Sequence, residues 1–186
     1  MLFAYLFNGQ VSCSLGGWVP NWTFLRKTNT SFEMDWATAK AGNAHPEDIA
    51  NTKDYFIGLE NLHFLTSQSY YRAKLELKHT GGRINLYYNG FMVGPETSSY
   101  TLTYHSVDVS HRGRNGFSPH EPRMFSTRDH DVYGCVTQKG YIGWYGPDCA
   151  DYSLFADVIT WPMTVDQLVE VTSMSLVMYR QHDFHH

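Results

Sequence analysis

The stretch from position 55 to position 66 reads Tyr55-Phe56-Ile57-Gly58-Leu59-Glu60-Asn61-Leu62-His63-Phe64-Leu65-Thr66 and is the most distinctive run in the chain. Its second half predicts a short helix from Leu59 to Leu65. Upstream, Asp35 can cap a helix from Trp36 to Ala41 that stops at Gly42. A further helix can open between these two, at Pro46, Glu47 and Asp48. We therefore expect short helices on both sides of position 50.

Downstream of this stretch, apolar and polar residues alternate as they do in half-buried strands. Two such runs flank Gly81-Gly82 and predict a hairpin, with the apolar positions Tyr71, Ala73, Leu75 and Leu77, then Ile84, Leu86 and Tyr88. The alternation of Tyr100, Leu102 and Tyr104 predicts a third antiparallel strand. The run from Ser173 to Tyr179 predicts the last strand. The apolar opening from Met1 to Phe7 favours a first strand over a secretion signal, because it lacks a basic segment.

Composition and charge restrict the class of protein. The 186 residues show no internal repeat, low-complexity run or linker, so we expect a single domain spanning residues 1–186. The formal net charge is -4 with both signs interspersed, which indicates neither a nucleic-acid partner nor an anionic membrane. No apolar run is long enough to span a bilayer. The aromatic content of 16% suits a strand-rich core or an aromatic binding surface.

Several blocks, taken in order, resemble the C-terminal globular domain of fibrinogens and the related ficolin-like lectin domains. Besides residues 55–66, these blocks are Val11-Ser12-Cys13 with Gly16-Gly17-Trp18, Asp35-Trp36 with Lys40 and Gly42, Phe91-Met92-Val93-Gly94-Pro95-Glu96, Tyr100-Thr101-Leu102, and Met124-Phe125-Ser126-Thr127-Arg128-Asp129. The chain is identified as a divergent member of this family. The resemblance implies an α+β fold, with a twisted, mainly antiparallel β-sheet, short flanking helices and a loop-rich C-terminal subdomain that carries the ligand site.

The chain has an odd number of cysteines, Cys13, Cys135 and Cys149. The close pair Cys135 and Cys149 predicts a local disulfide of a secreted protein, and the alternative is three reduced thiols in a cytosolic one. The resemblance implies the same pairing and leaves Cys13 unpaired or joined to another chain. Two glycosylation sequons, at Asn21 and Asn29, agree with export and predict a secreted, extracellular protein.

The family resemblance also implies calcium in the loop that precedes Cys135. Asp129-His130-Asp131 has the expected spacing of carboxylates, but Val132-Tyr133-Gly134 then leads straight into the cysteine. The loop is shorter than the family pattern and lacks a further carboxylate, whereas calcium needs several oxygen ligands. The sequence therefore leaves two alternatives, a doubtful calcium site at Asp129 and Asp131 or two solvated loop aspartates. No other cofactor is predicted.

The family's ligand pocket follows the last cysteine, where relatives carry a histidine, two asparagines and a glycine. This chain has Ala150, Ser153, Phe155 and Ala156 at those positions. A different ligand could use aromatic faces and carboxylates nearby. The candidate ligand-binding residues are Tyr133, Tyr141, Trp144, Tyr145, Asp148 and Asp151. The alternative is that the aromatic residues, Trp144 above all, are core residues that contact no ligand.

No nucleophile elbow, phosphate loop, reactive-cysteine context or metal-like histidine spacing is present, so we expect no enzymatic activity. The first hypothesis is a secreted recognition domain of the lectin or innate-immune kind that binds glycan or protein ligands. The alternative is a structural subunit of an extracellular multi-chain complex that keeps the fold and has lost the ligand site. Both predict an oligomer or other extracellular chains as partners, and neither nucleic acid nor membrane.

Overall fold

The computed structural model describes residues 12–14, 21–28, 32–43, 54–110, 114–117 and 122–180. The strands are β1 (Ser12–Ser14), β2 (Asn21–Lys27), β3 (Tyr55–Phe56), β4 (Tyr71–His79), β5 (Gly82–Asn89), β6 (Met92–Val93), β7 (Leu102–Thr103), β8 (Ser106–Ser110), β9 (Met124–Ser126), β10 (Gly143–Tyr145), β11 (Ile159–Pro162), β12 (Leu168–Val171) and β13 (Ser173–Arg180). The helices are α1 (Trp36–Ala41), α2 (Leu59–Thr66) and α3 (Cys135–Lys139), with a 3₁₀ turn at Glu96–Ser98. The predicted helix at Pro46 and the predicted strand at Met1 to Phe7 lie outside the described residues.

A seven-stranded antiparallel sheet forms the centre of the molecule. Its order is β1-β2-β13-β4-β5-β8, and β3 also pairs with β2. The predicted hairpin is β4 and β5, paired from Arg72 with Asn89 to His79 with Gly82. The predicted last strand is β13. It lies between β2 and β4, so a strand from late in the sequence pairs with one from near its start.

The predicted third strand is confirmed only in part. Ser99 and Tyr100 have φ angles of 49° and 47°, in the left-handed region, so an extended strand cannot run through them. Only Leu102–Thr103 is extended, and it pairs with β6 in a separate two-stranded ribbon. The place beside β5 is taken by β8, which also alternates in sequence.

The two faces of the sheet differ because residues directly opposite on paired strands share a face. One row of opposed residues is apolar and buried, and consists of Leu25, Leu176, Leu75 and Leu86. The neighbouring row is polar and only half-buried, and consists of Arg26, Ser175, Glu76 and Asn85. We call these the inner and the outer face. Each fully buried leucine stabilises the fold by about 1.5–3 kcal/mol, so the inner face fixes the register.

Backbone contact between two glycines joins α1 to the start of α2. Asp35 caps α1, accepting from the backbone N of Thr38 at 2.8 Å, and the helix ends at Gly42 as predicted. A Cβ on Gly42 would lie 2.4 Å from the carbonyl carbon of Ile57, and one on Gly58 would lie 2.5 Å from that of Ala41. Both glycines have positive φ, so neither position accepts a side chain. Within the described ranges, every helix is too short or too polar to cross a bilayer.

Candidate functional site

Residues 122–162 form the loop-rich end of the molecule. There β9 pairs with β10, and α3 lies between them in the chain. A disulfide joins Cys135, the first residue of α3, to Cys149, with an S–S distance of 2.00 Å. The predicted local disulfide is confirmed, and the pairing of Cys13 stays a prediction.

A buried ion pair joins the residue before β9 to a residue two positions after Cys149. Arg123 Nε donates to Asp151 Oδ1 at 3.0 Å, and both side chains are 2% exposed. The backbone N of Gly146 donates to the other carboxylate oxygen at 2.9 Å. The Arg123 guanidinium also lies 5.8 Å and 5.9 Å from the ring centroids of Tyr104 and Phe117. A ligand could reach Asp151, one of the predicted ligand-binding residues, only if this core opened.

Two of the predicted ligand-binding aromatics also lie in the core. Trp144 is buried against Phe125, with ring centroids 4.9 Å apart, and its Nε1 donates to the backbone O of Tyr100 at 2.9 Å. Tyr145 is fully buried, its hydroxyl donates to the backbone O of Tyr141 at 2.8 Å, and burial raises its pKa to about 12. These contacts support the alternative that the aromatic residues are structural.

The other candidates remain accessible around α3. Tyr141 is 37% exposed and follows α3, and Tyr133 is half-buried just before it. Asp148 is exposed beside Cys149 and accepts a local hydrogen bond from the backbone N of Ala150 at 3.0 Å. Val132, which sequence reasoning did not select, is 40% exposed. We call Val132, Tyr133, Tyr141 and Asp148 the α3 surface.

Asp129 connects the loop before α3 to the distant helix α1. Its carboxylate accepts from the backbone N of Trp36, at 3.0 Å and 3.2 Å for the two oxygens, across 93 residues of sequence. Thr127 Oγ1 donates to the same carboxylate at 2.7 Å. These hydrogen bonds, that of Thr127 first, hold the pKa of Asp129 below its ordinary value.

Asp131 caps α3 from a position four residues before the first helical residue, Cys135. Its two oxygens accept from the backbone N of Val136 at 3.1 Å and of Thr137 at 2.8 Å, and the Thr137 hydroxyl adds a third hydrogen bond at 2.9 Å. Partial burial acts to raise the pKa of Asp131, but these hydrogen bonds outweigh it and the pKa is lowered. Both aspartates thus satisfy backbone donors at a helix N-terminus.

His130, which was not among the predicted site residues, lies between these aspartates in the chain and packs against α1. Its ring lies 3.9 Å from that of Trp36, centroid to centroid, and its Nε2 lies 3.0 Å from Ser99 Oγ. Trp36 Nε1 also donates to Glu96, which forms an ion pair with Lys40. This cluster fastens the loop to both α1 and the 3₁₀ turn.

A family model for the C-terminal globular domain of the fibrinogen beta and gamma chains matches residues 5–161. The chain belongs to this family. Tenascin-R of Gallus gallus is 30% identical over 146 residues, which cover 73% of this chain and 10% of tenascin-R. The chain therefore spans a small part of that relative.

Solved structures of fibrinogen-like domains share the fold. The fibrinogen-like globe domain of human ANGPTL2 superposes with a TM-score of 0.75 at 21% identity, covering 95% of this chain and 90% of that one. A lamprey fibrin D-dimer, complexed with the peptide ligand Gly-His-Arg-Pro-amide, gives 0.72 at 21% identity, covering 94% and 66%. These matches confirm the predicted fold class. The family's relatives are non-catalytic extracellular proteins, which confirms that this domain is not an enzyme.

The positions at which the fibrinogen family carries polar ligand groups have a different role here. Ser153 Oγ donates to the backbone O of Ile142 at 2.6 Å and accepts from the backbone N of Phe155 at 3.0 Å. Phe155 is buried, with its ring centroid 5.4 Å from that of Phe125, and Ala156 is buried as well. The segment after the last cysteine is therefore packed into the core.

The residues of this loop do not fit the calcium ion that the family implies. Calcium takes about six to eight oxygen ligands, and a backbone N–H cannot serve as one. All four carboxylate oxygens of Asp129 and Asp131 accept hydrogen bonds from the chain. Among the described residues, no group of three or more acidic, histidine or cysteine side chains is placed to hold a metal ion. We derive no role for calcium from this site.

Replacing Asp131 with alanine should lower the free energy of unfolding by about 0.5–2 kcal/mol, because α3 loses its cap. Urea denaturation measures this loss of stability, which should be the same in calcium and in EDTA. Since folding lowers the pKa of Asp131, its contribution is present above the ordinary carboxyl pKa and disappears as the pH falls through the lowered value. Asp148→Ala, which removes an exposed carboxylate, is the control. A calcium-dependent gain in stability that Asp131→Ala abolishes would contradict this account.

Proposed function

We propose that this chain is a secreted, non-catalytic recognition domain that binds an extracellular protein ligand at the α3 surface. The observation that carries the proposal is that three carboxylates and a buried tyrosine of the loop-rich end are engaged within the chain. Asp129, Asp131 and Asp151 bind backbone amides or Arg123, and Tyr145 bonds to backbone. Binding is thus left to the accessible side chains around α3.

The chemistry of the α3 surface suits a protein better than an acetylated sugar. A sugar site needs several convergent polar groups in a concave pocket. Protein interfaces instead combine exposed aromatic and aliphatic side chains with a polar rim, as Tyr141, Val132 and Asp148 do here. The peptide ligand of the lamprey fibrin D-dimer shows that one fold neighbour accepts a polypeptide. The two sequons, at Asn21 and Asn29, support secretion and stay predictions.

Binding of the labelled chain to cultured cells tests the proposal. We expect the binding, measured with soluble heparin in excess so that anionic sugars do not contribute, to be lost when the cells are treated with protease and retained after glycosidase treatment. Tyr141→Ala should weaken binding by about tenfold or more, because exposed tyrosines often anchor interfaces. The backbone O that receives the Tyr145 hydroxyl remains in this variant. Tyr70→Ala removes an equally exposed tyrosine elsewhere (41% exposed) and should change nothing.

The rival functions give different results in the same experiments. Retention on immobilised acetylated sugars, or loss of cell binding after glycosidase treatment alone, would contradict a protein ligand and support a lectin. A stable multi-chain species on native sizing, together with no cell binding, would instead support a structural subunit.

A further inference from the structure

A cavity of about 240 Å³ opens on the outer face of the sheet, away from the α3 surface. Its walls come from β2, β4, β13 and the residue after β2: Thr23, Arg26, Thr28, Glu76, Lys78, Ser173, Met174 and Ser175. The strand register explains why these residues meet. Arg26 lies opposite Ser175, Ser175 opposite Glu76, and Ser173 opposite Lys78.

Several polar groups in this cavity are unused. In the described part of the chain, no hydrogen bond or ion pair engages the Arg26 guanidinium, and none engages the hydroxyls of Thr23, Ser173 and Ser175. Lys78 Nζ is 3.9 Å from Glu76 Oε1, a long ion pair on a half-exposed side chain. The cavity is therefore lined by several hydrogen-bond donors that are free to contact a ligand.

The local charge is positive although the whole chain carries a net charge of -4. Glu76 is already held by Lys74, whose Nζ lies 2.7 Å from Oε2. Arg83 lies opposite Lys78 on β5 and adds a further cation at the rim. The other acidic group close by is Asp54, which accepts hydrogen bonds from Thr28 at the end of β2. Arg26 and Lys78 therefore face the cavity without a full counter-charge.

We propose that this cavity binds a sugar that carries an anionic group, sulfate or carboxylate, as in a sulfated glycosaminoglycan. Guanidinium and ammonium groups form charge-assisted hydrogen bonds with such anions. The neighbouring hydroxyls of Ser173, Ser175 and Thr23 can exchange hydrogen bonds with sugar hydroxyls. The volume lies below the range of about 300–1,000 Å³ that suits larger ligands, and so fits one sugar ring. This site is separate from the α3 surface and does not depend on the protein ligand proposed there.

Calorimetric titration of the full chain with a heparin-derived hexasaccharide tests the proposal. We expect binding that Arg26→Ala and Lys78→Ala each weaken by about tenfold. Ser175→Ala should weaken it by a smaller factor, because it removes a hydroxyl and no charge. Arg128→Ala is the matched control, since it removes an exposed cation at the loop-rich end and changes the net charge equally. These side chains lie on the half-exposed outer face or on the surface, so each variant should keep the unfolding midpoint of the parent chain.

Two comparison ligands show which groups of the hexasaccharide the cavity recognises. The first is a desulfated, N-acetylated hexasaccharide that keeps its carboxylates. It should bind if a carboxylate is sufficient and fail to bind if sulfate is required. Either result leaves an anionic sugar as the ligand. Inorganic sulfate that binds as tightly as the hexasaccharide would overturn the proposal, because the hydroxyls would then take no part. The proposal is also overturned if the hexasaccharide does not bind, or if Arg128→Ala weakens binding as much as Arg26→Ala.

Discussion

Replacing Asp151 with asparagine should lower the free energy of unfolding by about 3–5 kcal/mol, because the substitution leaves the buried Arg123 charge without its partner. Both side chains are 2% exposed, so solvent cannot take over the role of the carboxylate. The other carboxylate oxygen of Asp151 accepts a hydrogen bond from the backbone N of Gly146. Guanidinium denaturation at neutral pH, with the slope checked against that of the parent chain, measures the loss.

Two further variants show whether the burial of the ion pair causes the large loss of stability. Arg128 and Glu33 form a comparable ion pair on the surface, with side chains 61% and 68% exposed. Arg128→Ala should therefore change the stability by less than about 1 kcal/mol. The double variant Arg123→Met with Asp151→Leu should lose less than Asp151→Asn, since it buries no unpaired charge. Equal losses from the buried and the surface pair would contradict the proposed role of Arg123 and Asp151.

Replacing both Cys135 and Cys149 with serine should lower the free energy of unfolding by about 3 kcal/mol, because the unfolded chain is no longer restrained by the closed loop. The two cysteines are 14 residues apart, and both ends of the loop lie in the loop-rich end. Thermal unfolding of the parent chain with and without a reducing agent provides the same comparison without mutation.

The double serine variant has a direct internal control. Its unfolding midpoint should not move when the reducing agent is added, whereas that of the parent chain should fall to the value of the variant. If the reducing agent lowers the midpoint of the variant as much as that of the parent chain, the stabilising bridge is a different one, and the stabilising role of the Cys135–Cys149 bridge is contradicted.

Regular periodicity explains why much of the fold could be predicted. The alternation of apolar and polar residues around Gly81-Gly82 predicts strands that are buried on one face only. In the structure, the apolar residues of β4 and β5 lie on the inner face and the polar ones on the outer face. The helix at positions 59–66 was also predicted, within one residue of its end. The prediction of a strand from Tyr100 to Tyr104 held only in part. The left-handed backbone at Ser99 and Tyr100 interrupts the strand, and the apolar pattern does not reveal it.

The candidate site was harder to predict because it depends on tertiary partners. The spacing of Asp129 and Asp131 suits a metal loop and a pair of helix caps equally well in sequence. Only the fold brings Trp36 to Asp129 and Arg123 to Asp151. The capping role of Asp131 was missed because no helix was predicted at Cys135–Lys139, and an aspartate is a capping signal only beside a helix start. The outer-face cavity depends on β13 lying between β2 and β4, and the local sequence pattern does not show this strand order.

We infer that the loop-rich end is held closed by residues of the chain itself and not by a metal ion. Hydrogen–deuterium exchange at the backbone amides of Trp36, Val136, Thr137 and Gly146 tests it most directly, because these amides donate to Asp129, Asp131 and Asp151. We predict slow exchange at all four amides, at the same rates in EDTA and in calcium. Rapid exchange in EDTA that calcium slows would contradict the claim.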